Sequence, residues 1–413
     1  MQKIRRKLFN EVKNHLKAKE ISLIVGPRQA GKTTLMTEIM AFLEKKGEKT
    51  LFLNLDYEND KKFFSSQEDL IKKLDLELGG KKGFVFIDEI QRKENAGLFL
   101  KGIYDLNLPY KFIISGSGSL ELKEKIHESL AGRKRLFELG TVSFKEFVDF
   151  KTDYKYSEKL DDFFDVEKET ALRLLEEFLN FGGYPRIVLE KEFSEKNKLI
   201  NEIFRSYTEK DISYFLGINR IEAFNLLIKV LANRTGQIIQ YSDLAQKCGI
   251  SVQTLKNYLW YAEKTFSIRI ITPYFKNKNK EITKSPSVYF YDNGMRNFAL
   301  GLFGILDQID QKSFVFQNLV ANRLFEKNQN TSNTIHFWRT IDKAEVDFVV
   351  NQASSILPVE VKYSNFKKPQ VTRSFRSFLE KYSPKEAWVV NLNLEEEIEI
   401  GATRVKFIPY YRI

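Results

Sequence analysis

Over the first 150 residues, unbroken apolar runs alternate with stretches of helical periodicity: ISLIV (21–25), TLFLNL (50–55), GFVFI (83–87) and KFIIS (111–115). Buried parallel strands read as continuous apolar runs, and the intervening segments are long enough for crossover helices. An α/β fold with a parallel sheet is therefore expected. From about 140 to 230 the pattern turns helical, with acidic interruptions such as DDFFDVEKE and a turn at FGGYPR (181–186). This stretch reads as a helical connector. Residues 225–300 read as a small helical unit followed by two strands, IRIITPYF and SVYFYD. Beyond 311 the pattern is mixed α/β again, with strands near IHFWR, EVDFVV, LPVEVK and EAWVVNL. Three domains are expected, 1–150, 151–300 and 301–413, each long enough to bury its own core.

Composition narrows the class. With 43% hydrophobic and 29% charged residues, wholesale disorder and collagen-like repeats are excluded. The single cysteine, Cys248, cannot form an internal disulfide, and His15, His127 and His336 are too scattered for a zinc cluster, so a reducing, cytoplasmic setting is expected. No apolar run approaches the ~20 residues of a membrane span. The start, MQKIRRKLFNEVKNHLK, is basic but lacks the apolar core of a signal peptide, so neither export nor a membrane partner is expected. The net charge is +11, and its densest excess lies in residues 211–300, where twelve basic residues face six acidic ones. A localised excess of this kind points toward an acidic partner such as nucleic acid.

The sharpest motif is GPRQAGKT, Gly26 to Thr33, which satisfies G-x-x-x-x-G-K-[ST] between a strand and an apolar-periodic helix. Glycines let successive backbone N–H groups curl around phosphate oxygens at a helix N-terminus, where the dipole favours negative charge. Gly26, Pro27, Arg28, Gln29, Ala30, Gly31, Lys32, Thr33 and Thr34 are thus the expected ATP-binding loop. Lys32 would reach the β/γ-phosphates, and the Thr33 hydroxyl would ligate Mg²⁺.

FVFIDEIQ (84–91) supplies the complementary acids. Asp88 would hold the water shell of the metal, and Glu89 would polarise an attacking water. An acid directly after the metal-binding aspartate is the pattern of P-loop ATPases that insert a strand between the loop strand and the aspartate strand, and KFIISGSGS fits that inserted strand. Ser115 or Ser117 at its tip would sense the γ-phosphate or orient water. Arg133, in AGRKRLFEL, is a candidate for cancelling transition-state charge, in cis or on a neighbouring subunit.

In this order GPRQAGKTTL, NLD (54–56), FIDEIQ, IISGSGSLEL, AGR and SFKEF resemble the AAA-like, STAND-related ATPases of archaea and bacteria, many of which carry a C-terminal domain of uncharacterised function. The resemblance continues through FGGYPR, YTEKDI (207–212), TGQIIQYSDLAQKCGIS, KSPSVYFYDNGMRN, FWRT, EVDFVV and PVEVK. It implies ATP binding and hydrolysis at Gly26, Gly31, Lys32, Thr33, Asp88 and Glu89, and no particular cellular role.

YSDLAQKCGISVQTLKNYLWYAEK (241–264) has helix-turn-helix spacing: Leu244 and Ala245 on the first helix, Gly249 in the turn, and Ile250, Leu255 and Tyr258 packing the second. Ser251 would cap the second helix, and its outward residues Gln253, Thr254, Lys256 and Asn257 are of types that bond base edges or phosphates. The basic loop KNKNKEITK between the two following strands would make a winged helix, with Lys276, Lys278 and Lys280 reaching phosphates of duplex DNA.

In the last domain Asp347 falls at one strand end, and Glu360 and Lys362 lie two residues apart on the next, hence on one face. Two carboxylates at a metal with a lysine beside them meet the requirement for phosphodiester cleavage. The pattern resembles the PD-(D/E)xK nuclease core, in which an acid often sits on the preceding helix. Here FQNLV places neutral Gln317 there, and Glu326, later on that helix, is a substitute without positional support. The leading expectation is a Mg²⁺-dependent ATPase coupled to a winged helix that contacts DNA or a protein partner, with oligomerisation open. The alternatives are an ATP-licensed nuclease and a STAND-like interaction switch without nucleic acid.

Overall fold

The computed structural model describes residues 3–117, 129–212, 221–275, 285–306 and 309–413. The first part is a five-stranded parallel sheet of β1 (Ile21–Gly26), β2 (Thr50–Asn54), β3 (Gly83–Asp88), β4 (Tyr110–Ser117) and β5 (Lys134–Glu138), in the order β2-β3-β4-β1-β5. β4 therefore lies between the loop strand and the aspartate strand, as its sequence predicts. All six residues of β1 and of β3 are buried, which is why both read as continuous apolar runs. Alternate residues face opposite helical layers. Leu23, Val25, Val85 and Ile87 pack with α3 (Gln67–Leu78) and α4 (Ala96–Asp105), whereas Ile24, Phe86 and Ile113 pack with α1 (Leu8–Asn14) and α2 (Lys32–Glu44). Each such fully buried side chain contributes about 1.5–3 kcal/mol. The parallel register brings the C-terminal tips of β1, β3 and β4 to one edge, pairing Ile24 with Ser115 and Ile87 with Ile114.

The connector begins with α5 (Phe144–Lys151), started by a capping box in which Ser143 and Glu146 satisfy each other's backbone N–H groups. It continues through α6 (Lys168–Phe181) and α7 (Phe193–Ser206). Then come α8 (Ile221–Asn233) and two helices joined by a tight turn, α9 (Tyr241–Lys247) and α10 (Val252–Lys264). Gly249 takes φ 63° in that turn, a conformation that favours glycine, and Ser251 accepts from the Thr254 N–H at 3.1 Å to cap α10. β6 (Ile268–Ile271) and β7 (Ser287–Phe290) follow as an antiparallel pair. Lys276, Lys278 and Lys280, in the loop between them, lie outside the described residues.

After α11 (Asn293–Ala299) and α12 (Ile309–Asn328), a six-stranded mixed sheet forms in the order β12-β13-β11-β10-β9-β8. Its strands are β8 (Thr334–Arg339), β9 (Glu345–Asn351), β10 (Ile356–Val361), β11 (Glu386–Asn391), β12 (Glu396–Ile400) and β13 (Thr403–Pro409), with α13 (Arg373–Tyr382) between β10 and β11. The last residues fold back on the connector. The Tyr411 ring stacks on Phe164 at 4.7 Å, and Arg412 pairs with Asp165 at 2.7 Å. The segment after β6 also joins this sheet, the Tyr274 N–H donating to the Phe337 carbonyl at 2.6 Å. Among the described residues no helix is long and apolar enough to cross a membrane.

The FGGYPR turn locks these parts together. The Gly183 N–H donates to Asp292 Oδ2 at 2.7 Å, and its carbonyl accepts from the Val142 N–H at 2.7 Å. A Cβ on Gly183 would lie 2.2 Å from the Val142 carbonyl oxygen. Gly183→Ala is expected to destabilise the fold by about 1–3 kcal/mol through overpacking, measured as a lowered midpoint in chemical denaturation. An unchanged midpoint would refute that close approach.

Candidate nucleotide site

The phosphate loop leaves β1 at Gly26, where a Cβ would lie 2.0 Å from the Leu139 carbonyl oxygen, so no larger residue fits. Gln29 and Gly31 both take left-handed backbone conformations, φ 58° and 95°. Left-handed residues of this kind are what a backbone nest for an anion is built from. α2 starts from Gly31 with no side-chain cap, and the dipole at such a helix start favours a phosphate. Lys32 is buried, its Nζ donating to the carbonyls of Gly26 at 3.0 Å and Pro27 at 2.8 Å, while Thr33 and Thr34 are exposed at the mouth.

Beneath the loop, Asp88 is 1% exposed. Its Oδ2 accepts from the Thr33 hydroxyl at 2.7 Å, and its Oδ1 accepts from the Ser115 hydroxyl and, at 3.1 Å, from the Glu89 N–H. The structure thus gathers Lys32, Thr33, Asp88, Glu89 and Ser115 from three strand ends. Glu89 sits at φ 56°, a conformation that costs a non-glycine residue roughly 1–3 kcal/mol and concentrates at functional sites. Gln91 Nε2 donates to its carboxylate. Burial, and then the neighbouring Asp88 charge, pushes the Glu89 carboxyl above its ordinary range, while Lys32 pulls it back. The donor set fits ATP and Mg²⁺: a hydroxyl and a carboxylate 2.7 Å apart are the hard oxygens Mg²⁺ prefers, next to the phosphate loop.

Arg133 is not part of this constellation. It precedes β5 at the opposite edge of the sheet and makes a two-pronged pair with Asp105 at 2.7 and 3.3 Å. The in-cis role expected for it is corrected, because β5 runs parallel to β1 and carries Arg133 away from the loop. The side chain of Ser117 lies outside the described residues.

Three neighbours of the loop have no motif to announce them. Pro185 Cγ lies 3.8 Å from where a Cβ of Gly31 would sit, and Arg186 Nη1 donates to Gln29 Oε1 at 3.3 Å. Arg6 donates to the Ala30 carbonyl at 2.9 Å and to the Gly140 and Thr141 carbonyls, and pairs with Glu146. The Gly-Gly and Pro of FGGYPR signalled a special turn, but nothing local signalled its partner. Arg6 had no signal at all. It also lines a cleft of about 890 Å³ where the three parts meet, in which Arg269 pairs with Glu138 at 3.9 Å.

On α10, Gln253, Lys256 and Asn257 are exposed and Thr254 is half-buried. Gln253 Nε2 donates to Asn257 Oδ1 at 3.2 Å, and Lys256 Nζ lies 5.4 Å from the Tyr241 ring centroid.

In the last domain Asp347 is the third residue of β9, not its end, and its carboxylate is already engaged. Oδ1 accepts from Gln317 Nε2 at 2.6 Å, and Oδ2 from the Val361 N–H at 2.7 Å. Burial pushes its carboxyl up to about 7, against the pull of Lys362. Glu360 Oε1 accepts from Thr372 at 2.8 Å and Lys362 at 3.0 Å, while its Oε2 is buried without a hydrogen-bond partner. Glu326 does not substitute for an acid here, since it pairs with Arg323 in the central cleft. Among the described residues no group of three or more His, Cys, Asp or Glu could hold a metal ion.

Residues 18–148 match the family described as an AAA domain, residues 172–305 one described as a domain of unknown function (DUF8612), and residues 312–413 another domain of unknown function (DUF4143). An uncharacterized protein of Methanocaldococcus jannaschii is 28% identical over 345 residues, covering 80% of this chain and 72% of its own. An uncharacterized protein of Mycobacterium tuberculosis is 27% identical over 364 residues, covering 87% and 73%. The structure of the Aeropyrum pernix ORC1 protein in complex with DNA gives a TM-score of 0.31 at 11% identity, covering 71% of this chain and 91% of that one. Cdc6p from Pyrobaculum aerophilum gives 0.32 at 11% identity, covering 73% and 95%. The chain carries an AAA-like P-loop ATPase domain.

Two substitutions test the site. Lys32→Ala is expected to abolish binding of a fluorescent ATP analogue, and Glu89→Gln to slow turnover by about 10²–10⁴-fold with binding kept. Unchanged turnover in both variants would refute these assignments.

Proposed function

Starting from an AAA-like ATP-binding domain, we propose that the chain is a cytoplasmic Mg²⁺-dependent ATPase whose nucleotide state is relayed through the connector to a winged helix that contacts duplex DNA or a protein partner. The supporting observation is the convergence of Thr33, Ser115 and Glu89 on the buried Asp88 directly under the phosphate loop. The loop N–H groups and Lys32 would hold the phosphates, with Lys32 giving up its two carbonyl partners to do so. Thr33 and Asp88 would hold Mg²⁺, which neutralises charge on the transferred phosphoryl group when bound. Glu89, whose carboxyl is raised by burial and then by the neighbouring Asp88 charge, would accept the proton of the attacking water. Ser115, fixed by Asp88, would orient that water or the terminal phosphate.

The relay follows from contacts across the loop. Pro185 and Arg186 lie against Gly31 and Gln29, so movement of the loop displaces the FGGYPR turn. That turn is tied through the Gly183 N–H to Asp292, which caps α11 by accepting from the Met295 N–H at 3.1 Å. α11 continues directly from β7, the second strand of the hairpin that follows α10. Phosphate binding would favour one arrangement of these elements and hydrolysis would release it.

Nucleic-acid contact is supported by helix-turn-helix spacing, a capped α10 presenting Gln253, Lys256 and Asn257, and the basic loop holding Lys276, Lys278 and Lys280. A neighbouring copy could contribute an arginine to the phosphates, and Arg133 would have to give up Asp105 to serve so. The decisive measurement is ATP turnover with and without random-sequence duplex DNA. Stimulation by DNA that is lost in a Lys256→Ala, Asn257→Ala double variant is expected. Absence of duplex binding even at low salt would refute the DNA reading and favour an interaction switch working through protein alone.

A further inference from the structure

The two features of the carboxy-terminal domain that the ATPase does not use are its carboxylate cluster and an unusual stretch of sequence beside it. Residues 361–379 contain five basic residues, Lys362, Lys367, Lys368, Arg373 and Arg376, and no aspartate or glutamate. Lys362 is held by Glu360. The other four are exposed, and among the described residues none of them forms an ion pair. Other exposed cations among the described residues also stand without an acid, Lys45, Lys46, Lys61 and Lys62 among them, so what marks the strip is that no acid occurs anywhere in residues 361–379. Thr372 fixes the strip against the cluster. Its hydroxyl donates to Glu360 Oε1 at 2.8 Å and also caps α13 by accepting from the Phe375 N–H at 3.2 Å. Arg373 and Arg376 lie one turn apart on the first turns of that helix, hence on adjacent positions of one face.

The cluster next to the strip does not fit a metal. A divalent cation needs carboxylate lone pairs directed at a common point, and here three of the four carboxylate oxygens already accept hydrogen bonds. Gln317 and the Val361 N–H take one oxygen each of Asp347, and Thr372 and Lys362 share Glu360 Oε1. Only Glu360 Oε2 accepts none. The backbone of Gly236 passes close to the Gln317 amide, since a Cβ there would lie 2.5 Å from Gln317 Oε1. The amide thus stands where an acid would have completed a charged triad.

We propose that the carboxy-terminal domain grips the phosphate backbone of duplex nucleic acid through Lys367, Lys368, Arg373 and Arg376 without cutting it, because Gln317 closes the carboxylate cluster to metal. The surface is distinct from α10 and does not rest on the DNA contact proposed for that helix. A flexible pair of lysines before the helix and two arginines on its first turns suit a run of phosphates, which carry no sequence information, so binding here is sequence-independent.

The test uses the full chain with Lys367, Lys368, Arg373 and Arg376 all changed to Gln, titrated into a fluorescent random-sequence duplex of about 30 base pairs over a series of salt concentrations. The plot of log affinity against log salt is expected to become shallower by about 3 to 4, since each phosphate contact contributes about 0.9. An unchanged slope overturns the grip, and the Lys256→Ala, Asn257→Ala variant measured alongside separates its failure from failure of the α10 reading. For the closed cluster, the probe is Mn²⁺ alone, followed by its electron paramagnetic resonance signal. The wild-type chain and Asp347→Asn are expected to bind Mn²⁺ identically, and Gln317→Glu to gain one site that is lost again when Asp347→Asn is added. Asp347-dependent binding in the wild type, or nicking of plasmid that vanishes in Asp347→Asn, overturns the proposal whether or not Gln317→Glu folds. A folded Gln317→Glu chain with no gained site overturns the role given to Gln317.

Discussion

The candidate nucleotide site is organised by one buried carboxylate. Asp88 ends β3 at 1% exposure and accepts hydrogen bonds from the first turn of α2, from the tip of β4 and from its own neighbour Glu89. Burying an ion without partners costs several kcal/mol, so those three donors are needed for Asp88 to remain there at all. They also fix the mutual positions of the phosphate loop, the serine and the glutamate. The β2-β3-β4-β1-β5 strand order is what makes the convergence possible, since it seats β4 directly between the strands carrying Asp88 and the loop.

A second buried carboxylate performs the same service between parts. Asp292 is 4% exposed, and burial pushes its carboxyl above the ordinary range while N–H donors from Gly183 and Met295 pull it down. Glycine is required at 183 because the backbone of Val142 passes too close for a Cβ. The connector is thereby held against the phosphate loop on one side and against the α9–α10 unit on the other. Arg269 adds a second tie, its guanidinium lying 3.7 Å from the Tyr291 ring centroid and 4.4 Å from that of Phe325, with Glu138 at the end of β5. The parts are coupled by specific polar contacts at their seams and by a shared apolar core, in which Phe144, Phe147 and Phe178 of the connector pack with Val315, Phe348 and Val359 of the last part.

The carboxy-terminal sheet shows how a similar pattern of residues can serve different chemistry. Asp347, Glu360 and Lys362 come together as their strand spacing predicts, β10 running antiparallel to β9 with Val359 opposite Phe348. The outcome is nevertheless set by Gln317, 30 residues from Asp347 in the chain, whose amide donates where an acid would repel. A neutral donor next to a buried carboxylate satisfies it locally and removes the charge that would otherwise draw in a cation.

The sequence by itself determined the elements and the chemistry of the phosphate loop. Unbroken apolar runs specify strands buried on both faces, and G-x-x-x-x-G-K-T followed by an apolar-strand Asp-Glu is a local code, readable because its function depends on backbone curvature within eight residues. The helix-turn-helix spacing and the Ser251 cap were legible for the same reason. The placing of Glu360 and Lys362 on one face, where they form an ion pair at 3.0 Å, was legible from the period of two. What only the tertiary structure decided are the contacts between distant positions: Arg186 on Gln29, Gly183 on Asp292, Arg6 on Ala30, and Arg133 on Asp105 rather than at the nucleotide. Hydrogen bonds across 157, 109, 24 and 28 residues leave no periodicity in the chain, since each depends on where whole elements are delivered by the packing of the others.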